Sequence, residues 1–131
     1  MQVGTALHNC YDRLALAMVD LETFSQLALG YAETYASPHF HKTSFRISKK
    51  IFATLDTQNN KAVLKLSPDE QATLITLGDG VIPVTGSWGQ QGWTEVNLAN
   101  IDGAVLRFAL KTAYCRVAPK ALARRYHEDN D

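Results

Sequence analysis

Residues able to do acid–base, nucleophilic or metal chemistry are few in this chain, and they are scattered. His39 and His41 would share a face if residues 38–41 are extended. A metal needs three or four ligands in suitable geometry, and the sequence places no third ligand nearby. Cys10 and Cys115 are far apart and form no Cys-x-x-Cys, so neither a zinc site nor a disulfide framework is indicated. Both read as free thiols of a reducing compartment. Cys115 follows Tyr114 in a helical pattern, which suits a structural thiol better than a nucleophile. No Gly-x-Ser-x-Gly elbow occurs. The run Gly86-Ser87-Trp88-Gly89-Gln90-Gln91-Gly92 matches neither phosphate-loop pattern and precedes a strand. It reads as a loop packed around Trp88 and Trp93. Asp69 and Glu70 are explained by a helix cap, and Glu95 by a solvated strand. The chain thus reads as non-enzymatic, with no catalytic residues, no metal and no cofactor.

What remains is a set of cations. Residues 37–66 hold Lys42, Arg46, Lys49, Lys50, Lys61 and Lys65 against Asp56 alone. Residues 107–125 hold Arg107, Lys111, Arg116, Lys120, Arg124 and Arg125 with no acid. The formal net charge is nevertheless zero, which argues against a strongly charged scaffold but not against a local patch. Arg46 and Lys65 fall on polar faces of neighbouring strands, with Lys49, Lys50 and Lys61 at hairpin turns. Phe52 and Trp93 would add aromatic surface nearby. Cations bind phosphates by releasing counterions, aromatics stack on bases, and hairpins can lie against a duplex. The candidate nucleic-acid-binding set is therefore Arg46, Lys49, Lys50, Lys61, Lys65 and Trp93.

These residues are positioned by a simple succession of elements. Apolar spacing over residues 3–17 suits an amphipathic helix. Asp20 can cap a second helix over Leu21, Phe24, Leu27 and Ala28, ending at Gly30. Alternation then begins: a strand at Phe45–Ile47, a turn at Ser48-Lys49-Lys50, a strand over 51–56, a turn at Gln58-Asn59-Asn60, and a strand over 62–66. Ser67-Pro68-Asp69-Glu70 is a capping box opening a helix that carries Leu74, Ile75 and Leu77 inward. Residues 81–84 read as an edge strand because of Pro83, and 93–98 as a strand. Asp102 caps a long helix with Val105, Leu106, Ala109, Leu110, Ala113 and Val117 on its apolar side, interrupted at Pro119.

The 131 residues suffice for one domain: an N-terminal extension or extra helix at 1–19, a core at 20–126, and a flexible tail at 127–131. The expected fold class is α+β, a two-layer sandwich with helices on one face of an antiparallel sheet. No apolar run is long enough to span a membrane and no secretory signal is evident, so a cytoplasmic location is expected.

Several segments, in order, resemble the MmcQ/YjbR-like family. They are Phe45-Arg46-Ile47, Lys50-Ile51-Phe52-Ala53-Thr54-Leu55, Leu64-Lys65-Leu66-Ser67-Pro68-Asp69-Glu70-Gln71, Trp88-Gly89-Gln90-Gln91-Gly92-Trp93-Thr94, and the terminal Ala113-Tyr114 and Val117-Ala118-Pro119-Lys120. The resemblance implies a frataxin-like (CyaY-like) sandwich and DNA binding through two hairpin wings. At matching positions the wings are Ser48–Lys50 and Thr57–Lys61. Gly30-Tyr31-Ala32-Glu33-Thr34 departs from the Pro-Gly turn of many members. An alternative is a protein-binding adaptor using the sheet face or the tryptophan loop. Iron delivery, suggested by the fold analogy, lacks clustered carboxylates: Asp20, Glu22 and Glu33 are too scattered.

Overall fold

The computed structural model describes residues 19–128, the side chains of His127 and Glu128 excepted. The helix expected over 3–17, with Cys10, and the final residues of the tail lie outside the described residues. Six strands form an antiparallel sheet in the order β1-β2-β3-β4-β6-β5. They are β1 (Tyr35–His39), β2 (Lys42–Ile47), β3 (Lys50–Asp56), β4 (Lys61–Lys65), β5 (Val81–Pro83) and β6 (Trp93–Asn97). The helices are α1 (Leu21–Leu29), α2 (Pro68–Leu77), α3 (Ser87–Gln90), α4 (Gly103–Val117) and α5 (Lys120–Glu128).

Period-two alternation sets the two faces of the sheet. Ala62 and Leu64 of β4 and Thr94 and Val96 of β6 are buried, while Lys61, Val63, Lys65, Trp93, Glu95 and Asn97 between them are half-buried. The inward residues meet the helices. α4 lies over β3 and β4, with Leu106, Ala109, Leu110 and Ala113 fully buried. Phe24 of α1 meets Phe45 of β2 edge-on at 5.7 Å. One face is covered by helices and the other stays open, giving the α+β sandwich expected from the patterning. No described helix is long and apolar enough to cross a membrane.

Three capped helices start where the sequence places them. Asp20 accepts from the Thr23 N–H at 2.7 Å, and Asp102 from the Ala104 N–H at 2.7 Å. The Ser67 capping box is complete: the Glu70 N–H donates to Ser67 Oγ at 3.1 Å, and the Ser67 N–H donates to Glu70 Oε1 at 2.8 Å.

Other expectations are corrected. β1 precedes the first expected strand and is an edge strand carrying Pro38. His39 pairs with Lys42, so Phe40 and His41 make the turn and the two histidines do not continue one extended run. Within α2, Leu74 is buried, but Ile75 and Leu77 are 38% and 51% exposed. Gln71 faces inward with Leu74, three residues apart on one stripe, and Ile75 sits a quarter-turn away. The 86–92 loop contains the single turn α3. Phe52 does not join the open face and is fully buried. The ladder pairs Phe45 with Ala53 but Arg46 with Ile51, leaving Phe52 as a bulged extra residue. A bulge breaks strict alternation, and Phe52 turns inward to meet the Tyr114 ring edge-on at 5.7 Å.

Tyr114 anchors an aromatic cluster under the entry to the sheet. Its ring stacks on Tyr31 at 4.8 Å and meets Tyr126 edge-on at 5.3 Å. Its hydroxyl donates to the Ala32 carbonyl at 2.8 Å, and the Ala32 N–H donates to the Tyr126 hydroxyl at 2.9 Å. Residue 32, just after the first helix, is thus held through both its N–H and its carbonyl. Burial pushes the hydroxyls of Tyr31 and Tyr114 up to about 12. An unfolded tyrosine loses its proton near pH 10, whereas these stay neutral in the fold. Above pH 10 the unfolded state therefore binds fewer protons, and stability falls as pH rises toward 12. Urea midpoints across that window are expected to drop, and Tyr31→Phe is expected to flatten the fall.

Candidate functional site

Successive hairpins of a meander turn at opposite ends of the sheet. The β2–β3 turn at Ser48-Lys49 and the β3–β4 turn at residues 57–60 are separated by the length of β3, seven residues or about 20 Å. The expected wings therefore lie apart, and the candidate cations divide between them.

At the far end, cations face acids. Lys61 Nζ lies 3.6 Å from Glu95 Oε2. Asp56 Oδ1 accepts from the Gln58 and Asn59 N–H groups at 3.1 and 3.2 Å, and Oδ2 accepts from Asn59 Nδ2 at 2.8 Å. The Asn59 side-chain bond, with its neighbours and the charge of Lys42, holds the Asp56 carboxyl below its ordinary value.

At the near end, Lys49, Lys50, Lys65 and Trp93 gather. Ser48 and Lys49 both adopt positive φ, 53° and 69°, and Ile47 pairs with Lys50 around them. This two-residue turn throws Lys49 and Lys50 outward, both exposed. Arg46 Nε donates to Ser44 Oγ at 3.0 Å and its Nη1 to the Lys49 carbonyl at 3.4 Å, tying strand to turn. Lys65 Nζ lies 5.1 Å from the centroid of the Trp93 ring and donates to the Gln91 carbonyl at 3.4 Å. A groove of about 480 Å³ is lined by Lys50, Ile51, Lys65, Pro68, Trp93 and Arg116. A second, of about 500 Å³, runs from Lys50 and Arg116 to Lys120.

Among the described residues, Arg46, Lys49, Lys50, Lys65 and Lys120 have no carboxylate partner. Arg116 does: its Nε and Nη2 donate to the two Glu70 oxygens at 2.6 and 3.2 Å. Burial alone would raise the Glu70 carboxyl. The Arg116 and Ser67 donors outweigh it and hold that carboxyl below its ordinary value. Arg116 therefore braces the α2 cap, and the lysines carry the uncompensated charge.

The tryptophan loop is held from behind by Gln71, which the sequence reading passed over. Gln71 Nε2 donates toward the Gly89 carbonyl at 3.1 Å, the Trp93 carbonyl at 3.0 Å and Thr94 Oγ1 at 3.1 Å. The available signal was its spacing, because a polar residue three positions before Leu74 shares the inward stripe. Gly89 and Gly92 of the loop serve backbone contact with Val84 and Leu66, and Trp88 is left 59% exposed, its ring 6.1 Å from Trp93 at 74°.

On the helix side, a groove between α2 and α4 holds Leu74, Phe108 and Cys115. Burial raises the Cys115 thiol, which keeps it protonated and a poor nucleophile. Among the described residues, no three His, Cys, Asp or Glu side chains group as a metal site would require.

Solved structures similar to this chain include two from bacteria. One is protein DR2400 of Deinococcus radiodurans, with a DUF419 domain: TM-score 0.68, 15% identity, covering 83% of this chain and 88% of that one. The other is a Pseudomonas syringae protein: TM-score 0.60, 14% identity, covering 76% and 99%. At such identities the likeness concerns the fold. No curated protein matches the chain. The family model described as YjbR matches residues 29–116, a span holding β1 to β6, Gln71, the tryptophan loop and all the near-end residues except Lys120, so this chain belongs to the YjbR family.

Proposed function

We propose that this protein binds DNA without catalysing a reaction, using the cationic end of its sheet. The observation that carries the reading is the gathering of Arg46, Lys49, Lys50 and Lys65 at one end without carboxylate partners, while Lys61 is matched by Glu95. Phosphates meeting these groups release counterions, which favours binding in a sequence-independent way. The zero net charge keeps the rest of the molecule from adding to that attraction. A free Cys115 fits the reducing cytoplasm.

Fluorescence anisotropy with labelled duplex DNA across a salt series tests the reading. Four neutralised phosphates predict a log–log slope of roughly −4. Lys49→Glu with Lys50→Glu is expected to weaken binding roughly 10- to 100-fold on every sequence and to flatten the slope by about two. Unchanged affinity in that double variant would overturn the proposal.

A second reading, a protein-binding adaptor, is favoured by Trp88, since exposed tryptophans recur at interface hot spots. It predicts a partner lost on Trp88→Ala and retained on Lys49→Glu with Lys50→Glu.

A further inference from the structure

We infer that the open face of the sheet takes an unpaired nucleic-acid strand, laid across the strands with its bases stacked on aromatic side chains. This rests on the nucleic-acid reading above and narrows its ligand class.

The register supplies the argument. Phe45, Ala53, Leu64 and Thr94 pair across β2, β3, β4 and β6 as one continuous inward row. One step toward the β2–β3 turn the side chains reverse to the open face. There Tyr35 pairs with Arg46, Arg46 with Ile51, and Lys65 with Trp93. Because the bulge at Phe52 absorbs the extra residue inward, Ile51 takes the place in this row that Phe52 would otherwise hold. The result is a band of Tyr35, Arg46, Ile51, Lys65 and Trp93 crossing five strands, about 19 Å at the usual strand spacing. Trp88 stands just beyond its end, edge-on to Trp93.

The order along this band is aromatic, cation, aliphatic, cation, aromatic. Tyr35 is 42% exposed and Trp88 59%, a large aromatic surface for a protein to leave in water. Cations set between stacking rings match the alternation of bases and phosphates along a single strand. Open four-stranded sheets of RNA-recognition modules stack two or three bases in this manner. A duplex offers no free base faces inside its stack, so the rings would gain little from one. The Lys65 ammonium over Trp93 lies where it would neutralise the phosphate beside a stacked base.

The test uses the full chain with a short oligothymidylate and a duplex of equal length at matched salt. Trp88 and Trp93 are the chain's two tryptophans, so intrinsic emission reports this site alone. The single strand is expected to quench the emission and to bind with a salt slope near −0.7 per phosphate contacted. Tyr35→Ala and Trp88→Ala are each expected to weaken single-strand binding roughly tenfold with duplex affinity unchanged, and Tyr35→Phe to restore it. Both positions are exposed, so their melting curves should match the parent's. If quenching is absent, or if both alanine variants keep single-strand affinity, the inference fails. Duplex binding that Lys49→Glu with Lys50→Glu weakens would then leave the broader reading standing. If neither oligonucleotide binds, both fall together.

Discussion

Gly92→Ala is expected to destabilise the domain by about 3–5 kcal/mol and to lower its melting temperature by roughly ten degrees or more. Two effects combine at this position. Gly92 has φ +108°, a conformation that L side chains rarely adopt. An added Cβ would also stand 1.9 Å from the Leu66 carbonyl oxygen and 2.7 Å from its carbon. The obstacle is backbone, so no rotamer change relieves it. Leu66 is locked as well, because its N–H donates to the Gly92 carbonyl at 3.2 Å and the next residue is the α2 cap. Gly86→Ala is the matched control. It too has positive φ, +84°, but nothing lies within 4 Å of the added atom. Its loss should be about 1–3 kcal/mol, the backbone contribution alone. Equal melting temperatures for the two variants would show that the approach to Leu66 is not what makes Gly92 costly to replace.

Gln71→Glu should destabilise the fold by about 3 kcal/mol at neutral pH, more than the roughly 2 kcal/mol expected for Gln71→Leu. The amide nitrogen of Gln71 donates toward three oxygens, those of Gly89, Trp93 and Thr94, within a site only 8% exposed. Leucine deletes the donor, and two of those oxygens keep another partner: the Gly92 N–H for Gly89 and the Val84 N–H for Trp93. A carboxylate of nearly the same shape instead turns negative charge against three acceptors. Its folded-state pKa must then rise above the unfolded value. The penalty is therefore fully present above the raised pKa, fades as pH falls from there to the ordinary carboxyl value, and is gone below it. Urea titrations at neutral and acidic pH check this, with the two variants expected to converge in acid. A pH-independent gap between them would mean that Gln71 acts through packing alone. Since Gln71 holds the backbone of the tryptophan loop, both substitutions should also shift the tryptophan emission.

Local signals in the sequence carried most of the elements. The capping box at Ser67–Glu70, the caps at Asp20 and Asp102, the interruption at Pro119 and the alternation through β4 and β6 are interactions between near neighbours in the chain, so residue type and spacing suffice to place them. The inward stripe of α4 was legible for the same reason. The order of segments resembling the YjbR family was also legible, as were the cations of residues 46–65 as a group.

Tertiary structure alone decided how those cations are shared out. Whether Lys61 and Glu95 meet depends on β4 pairing with β6, a partner some thirty residues away that β-strand patterning does not choose. The inward turn of Phe52 required a bulge in the β2–β3 ladder, and alternation assigns its face wrongly because alternation assumes none. Edge strand β1 is not legible in the sequence because Ala36-Ser37-Pro38 lacks strand-forming residues and is held by pairing with β2 alone. The exposure of Trp88 and the inward role of Gln71 follow from how α2 meets the loop before β6. Residue types set what each segment prefers locally; contacts between segments far apart in the chain, each worth little until the others form, set which side chains face one another.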